Sequence, residues 1–286
     1  MEVLVFSPMS ATHRPCPRCH TDNASAPPSP FSCDPWTLKA CSCGMLYLEN
    51  APSYEALQDT FAWEKTAAAE TVRREAAEPL VQTVSKAVVQ VRRKVSRGDK
   101  LTSMIETLFP DGPVVDIGCA KGGVLRRISA TEVIGIEISQ DLAKRAKANL
   151  KHKNCRIIHA DALRGMKQLP PASIAGIVMS AFLEHEVQPA TLLTEVNRAL
   201  IPGGRAIIKV PNFACWNRKV RGRRWCGFRF PDHVNYFTPD TLRRLCGLSG
   251  LVIVRFGWLD RLPTNDNMWM VVEPAGRTAP SASPRT

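Results

Sequence analysis

The chain has 286 residues, 44% of them hydrophobic, and a formal net charge of +12. That is long and apolar enough for one large globular domain with a small appendage, and it excludes a disordered or collagen-like chain. No apolar run approaches the ~18 residues a spanning helix needs, and the start MEVLVFSPMSATHRP has no basic stretch before its short apolar run, so neither membrane insertion nor secretion is expected and the cytoplasm is.

The charge is uneven. Residues 1–110 carry 12 Lys+Arg and 12 Asp+Glu, whereas residues 111–286 carry 26 and 14. A basic surface favours phosphate-bearing or acidic partners, although a merely solvated basic face has the same composition. The ten cysteines also divide: five lie within the first 43 residues and five are scattered from Cys119 onward. Clustered thiols in a reducing compartment bind metal, and scattered ones behave as small buried hydrophobes.

In chain order, residues 1–50 form an irregular Cys-rich module with a Pro/Ser-rich loop, NASAPPSPFS, at 23–32. Its two Cys pairs, CPRC at 16–19 and CSCG at 41–44, make Cys16, Cys19, Cys41 and Cys43 the expected ligands of a Zn²⁺ ion. Four thiolates hold zinc tetrahedrally, and the ion substitutes for a core that so few residues cannot build. The second pair is C-x-C, preceded by Ala40, which leaves Cys33, His20 or His13 open as a replacement ligand. Free thiols in a flexible arm are the plainer alternative. Residues 51–110 read as a helical linker. Tyr54, Leu57 and Phe61 fit one stripe, Leu80, Val84, Val88, Val91 and Val95 another, and Leu101, Met104, Ile105 and Leu108 a third before Pro110.

From residue 111 to 273 the rhythm changes. Seven short apolar runs (113–118, 132–139, 155–161, 173–182, 204–211, 251–259 and 267–274) alternate for the most part with helix-like segments such as 139–152 and 189–200. Strands alternating with helices predict a mainly parallel sheet. The last two strands are joined by a short polar stretch, which predicts an antiparallel hairpin at one edge. Residues 274–286, ending GRTAPSASPRT, read as a disordered tail.

The first of these strands runs into VVDIGCAKGG, residues 114–123. Ligands of open α/β sheets bind beyond the C-terminal ends of the strands, where glycines let backbone amides approach closely and a following helix N-terminus favours negative charge. A nucleotide-like cofactor is therefore expected. The pattern D-x-G-x-A-x-G-G fits the dinucleotide fingerprint G-x-G-x-x-G poorly.

That pattern resembles motif I of class I S-adenosylmethionine (SAM) methyltransferases, D/E-x-G-x-G-x-G, with Ala120 at the second glycine. The fourth strand ends in SAFLEHE, similar to the family's LEH. RALIPGGRAIIKVPN (198–212) resembles its LKPGG turn, and HVNYFTPDTLRRLCGLSGL (233–251) resembles the start of the last helix in ubiquinone-biosynthesis-like methyltransferases. CPRC followed by CGMLYLENAP resembles an N-terminal ribbon fused to some methyltransferases. The resemblance covers roughly residues 110–273. It implies a Rossmann-like, seven-stranded, mostly parallel sheet with helices on both faces.

It also implies a SAM pocket made by Asp116, Gly118, Cys119, Ala120, Gly122, Glu137, Ile138, Asp161, Ala162 and Ser180. Glu137, at the end of the second strand and 19 residues after Gly118, accepts from both ribose hydroxyls in this reading. Asp161 meets the adenine amino group and the Ala162 amide a ring nitrogen, although Asp161 also suits a helix cap.

Methyl transfer is an in-line displacement in which SAM supplies the electrophile, so the protein aligns a nucleophile and sometimes removes a proton. Glu184, His185, His233 and Tyr236 are the candidates for that work. A backbone-bonded role for His185 is an equal alternative. After the fourth strand the chain reads Ser180-Ala181-Phe182-Leu183, not the (N/D/S)-P-P-(Y/F) of enzymes that methylate exocyclic amines. No Pro-Cys is present there for attack on a pyrimidine ring. An O or C acceptor on a small molecule or glycan, with room for an anionic one, is the leading expectation. An rRNA or tRNA base, held by the zinc module and the loop 212–230 together, stays open as the alternative. The loop holds Arg218, Lys219, Arg221, Arg223, Arg224 and Arg229 interleaved with Phe213, Trp216, Trp225, Phe228 and Phe230, and basic and aromatic side chains together grip phosphates and stack bases. A non-catalytic SAM-fold binding protein is the third reading.

Overall fold

The computed structural model describes residues 13–54, 56, 66, 71–72 and 99–276. Most of the linker expected over 51–110 and most of the expected tail lie outside these residues. What is described of the linker's end is a helix, α1 (Lys100–Leu108), capped by the Asp99 side chain on the Leu101 amide, with Leu101, Met104 and Ile105 buried.

Seven strands form the large sheet: β3 (Val114–Ile117), β4 (Val133–Glu137), β5 (Cys155–His159), β6 (Ile174–Ser180), β7 (Leu200–Pro211), β9 (Leu251–Arg255) and β10 (Asn267–Pro274), in the order β5-β4-β3-β6-β7-β10-β9. The pairs β3–β4, β3–β6, β4–β5 and β6–β7 are parallel. β3 and β4 are buried throughout and β6 nearly so, as continuous apolar runs must be when helices cover both faces. β10 runs antiparallel to both β7 and β9. The C-terminal edge is therefore antiparallel, and the last strand inserts between the two before it. Helices α2 (Gln140–Asn149), α3 (Ala162–Lys167) and α4 (Pro189–Ala199) follow β4, β5 and β6, and α5 (Trp216–Arg221) and α6 (Pro239–Leu248) lie between β7 and β9.

The helix expected directly after β3 is absent. Residues 118–127 run through successive turns, with Gly122 donating to the Cys119 carbonyl and Arg126 to Gly122. Gly118, Ala120 and Gly122 take positive φ (73°, 47° and 73°), a conformation an α-helix cannot contain. The helix-dipole argument for this turn therefore falls away, and the close-approach argument for its glycines stays.

The Cys-rich module is built onto the large sheet. Strands β1 (Leu38–Ala40) and β2 (Leu46–Leu48) pair, and β2 pairs in turn with β8 (Asn235–Tyr236) from the far end of the chain. Cys16, Cys41, Met45 and Tyr47 share one core with Ile177, Leu183 and Phe237. No helix among the described residues is long and apolar enough to cross a membrane.

Candidate functional site

β3 has β4 on one side and β6 on the other, so the chain changes direction across it, and the crevice beyond its C-terminal end is the expected ligand position. A cavity of about 500 Å³ opens there. Gly118, Ala120, Glu137, Ile138, Asp161, Ala162 and Ser180 line one part of it. Glu184, His185, His233, Arg229 and Asp232 line another.

At the first end, Glu137 finishes β4 and its carboxylate is already aimed. One oxygen accepts from the Ala120 amide (2.8 Å) and the other from Ser139 (2.9 Å). A carboxylate offers about four acceptor sites, and Glu137 lines the cavity, so a hydroxylated ligand can approach this anchored group. Gly118 closes under the ring of Phe182: a Cβ there would stand 2.5 Å from it. Asp161 caps α3, accepting from the Arg164 amide at 2.8 Å, while still facing the cavity. Asp116, Cys119 and Gly122 do not line the cavity. Asp116 and Cys119 are buried behind the turn, with Cys119 packed against Gly135, and Gly122 packs on Leu150.

At the second end, His185 donates Nδ1–H to the Asp232 carbonyl and His233 donates Nδ1–H to that of Gly227, both at 2.8 Å. The two rings meet edge to face at 4.8 Å. Glu184 is buried beside them, and its Oε2 has no hydrogen-bond partner. Burial pushes the Glu184 carboxyl up to about 8 and the His185 imidazole down to about 4, because a charge on either is poorly solvated. Arg229 pairs with Asp232 at 3.1 Å. Tyr236 is not brought to this cavity. It lies on β8 in an aromatic core with Phe213 and Phe228, where burial raises its phenol well above the ordinary 10.

Tyr54 and Arg229 line the cavity without having been singled out as site residues. Tyr54 donates its hydroxyl to Glu186; nothing in its helical stripe marked it as more than a packing residue. Arg229 stood in the basic loop, and the R-x-x-D spacing to Asp232 was the readable signal. Most aromatic rings of that loop are not presented to a ligand. Trp225 and Phe228 are buried, Phe31 of the Cys-rich module stacks on Phe228 at 5.1 Å, and Arg218 lies 4.4 Å over Phe213.

The four module thiols converge. The Cys16 and Cys43 sulfurs are 3.6 Å apart, those of Cys19 and Cys41 3.5 Å, and all four lie within 4.8 Å of one another. Thiolates ~2.3 Å from a common ion in a tetrahedron stand roughly 3.8 Å apart, so the set suits zinc. Cys33 instead pairs through its backbone with Trp36, and His13 bonds Asp22.

A family model described as a methyltransferase domain matches residues 89–255. An uncharacterized methyltransferase of Mycobacterium tuberculosis (strain ATCC 25618 / H37Rv) is 26% identical over 106 residues, 36% of this chain and 53% of its own length. Trans-aconitate 2-methyltransferase of Sinorhizobium medicae (strain WSM419) is 28% identical over 110 residues, 37% of this chain and 41% of its own. The chain thus spans about half the length, or less, of these curated relatives. A solved S-adenosylmethionine-dependent methyltransferase from Clostridium acetobutylicum ATCC 824 superposes with a TM-score of 0.51 at 10% identity, covering 68% of this chain and 100% of that one; this shows the fold.

Proposed function

Since the chain belongs to this methyltransferase domain family, we propose that it transfers a methyl group from S-adenosylmethionine to an oxygen or carbon of a small-molecule or glycan-type acceptor. The observation that carries the reading is the single cavity in which the glycine turn, Glu137 and Asp161 face the same space as Glu184, His185, His233 and Arg229.

When bound, SAM supplies the methyl group on a positively charged sulfur. Glu137 would hold the ribose hydroxyls, Asp161 and the Ala162 amide the adenine edge, and the Gly118–Ala120 backbone the near side of the nucleoside. Asp116, behind the turn, would order it. Glu184, His185 and His233 stand where an acceptor proton has to leave or an acceptor has to be oriented, and Arg229 offers a cation to an anionic group on it. The largely apolar lining would limit the water that competes for the nucleophile's approach.

The packing favours a compact acceptor over RNA, because Phe213, Trp225 and Phe228 are spent on the module and cannot stack bases. Zinc on Cys16, Cys19, Cys41 and Cys43 belongs to the same reading, as a structural ion.

Calorimetric titration with SAM tests the core of this. Glu137→Ala removes charge-assisted hydrogen bonds worth about 1.5–3 kcal/mol, so affinity is expected to fall roughly tenfold or more. Unchanged affinity would overturn the cofactor site. Tight RNA binding at ~0.1 M salt, lost when Arg218, Arg221, Arg223 and Arg224 are neutralised, would overturn the choice of acceptor.

A further inference from the structure

We propose that Glu184, His185 and His233 form a binding site for a divalent cation at the acceptor end of the cavity. The inference rests on the methyltransferase reading and assigns this trio a more definite task. A ligand atom from each of the three lies within 4.8 Å of the other two. Ligands about 2.1 Å from a shared ion lie roughly 3–4.2 Å apart, so closure on an ion needs at most a short inward movement.

Three further observations point the same way. Each imidazole donates Nδ1–H to a main-chain carbonyl, which fixes the tautomer that carries the lone pair on Nε2. An outer partner of this kind is what metal-bound histidines have. Glu184, 1% exposed and lining the cavity, has Oε2 without a hydrogen-bond partner, and a buried carboxyl oxygen left unpaired is costly. The nearby Arg229 is paired with Asp232 at 3.1 Å, which lessens its repulsion of a cation.

Two imidazoles and one carboxylate select a borderline ion such as Zn²⁺, Co²⁺ or Fe²⁺ over Mg²⁺ or Ca²⁺. Three protein ligands leave positions open on the ion. The acceptor class that fits is a hydroxyl compound with a second oxygen beside it, a hydroxy acid or a vicinal diol, able to chelate through both. The hydroxyl loses its proton to solvent on binding the cation. Its oxygen pair then forms the new O–CH₃ bond as the S–CH₃ bond breaks, and the sulfonium becomes a neutral thioether. The ion is neither oxidised nor reduced.

The experiment uses the full chain preloaded with one equivalent of zinc, which the four thiolates take first so that the trio stays open, and titrates it with Co²⁺ by calorimetry and visible absorption. Expected is one further ion per chain with the spectrum of a nitrogen and oxygen site. Glu184→Gln and His233→Gln should each weaken it more than about a hundredfold, beyond the ten- to hundredfold that loss of an outer partner costs. Melting temperature and SAM affinity are measured on the same samples to show that the variants fold. No Co²⁺ binding beyond the preloaded zinc, or equal binding in folded variants, overturns the site. SAM binding without Co²⁺ binding would remove the cation and leave the methyltransferase reading standing. Co²⁺ held by the trio in a chain that does not bind SAM would do the reverse.

Discussion

Asp116 carries a conflict that a single substitution exposes. It sits on β3 between Val115 and Ile117, fully enclosed, and burial, together with the nearby Glu137 charge, pushes its carboxyl from 3.8 up to about 7. The folded protein therefore keeps a proton that the unfolded chain releases near pH 4. Between about pH 4 and pH 7 the native state binds more protons at this site, so this group's contribution to stability falls as pH rises and is fully lost above pH 7. Asp116→Asn removes the ionisation. The variant's melting temperature, relative to the unaltered protein, should be higher at pH 8 than at pH 5, and scanning calorimetry at the two values checks it. A difference that does not change with pH would mean that Asp116 is ionised in the folded protein at both.

Among the elements, β8 is the smallest and joins the most. It is two residues long, yet it carries the link between the module and the acceptor wall. Asn235 donates to the carbonyls of Leu183 and Glu186, on either side of Glu184 and His185, and accepts from the buried Arg14 of the module. Asn235→Ala leaves these buried groups unpaired and should cost about 1–3 kcal/mol, read from chemical denaturation. SAM affinity should stay within about twofold, because β3, β4 and β5 are untouched. Equal loss of both would show that the two ends of the cavity are one cooperative unit.

The same elements explain what could be read from the sequence. β3, β4 and β6 announce themselves as continuous apolar runs, because both faces are covered. Glu137 could be placed because it ends such a run. β8 has no such pattern: Asn235 and Tyr236 become a strand only through β2, nearly two hundred residues away. The left-handed φ of Ala120 is a property of the turn, not of alanine, so the missing helix after β3 was invisible. The aromatic spacing of 212–230 read as a stacking surface because sequence does not say that Phe31 returns to cover it.

At the scale of the whole molecule, the Cys-rich module is a buttress for the catalytic half. Cys16 lies two residues from Arg14, Tyr47 shares a core with Phe237, and Tyr54 reaches Glu186 at the cavity. If four thiolates hold this corner around one zinc ion, the ion's binding energy is part of the folding energy of β1, β2 and, through them, β8. Cys16→Ser should then lower zinc content by one per chain relative to the unaltered protein, measured by elemental analysis. It should also speed proteolytic cutting within 212–238, because that segment is held from above by β2 and Phe31. SAM affinity should change little, since the glycine turn and Glu137 are anchored by the large sheet. Zinc content that is the same in both proteins, or a loop equally protected in both, would mean that the corner is held by its apolar packing, with the thiols as passengers.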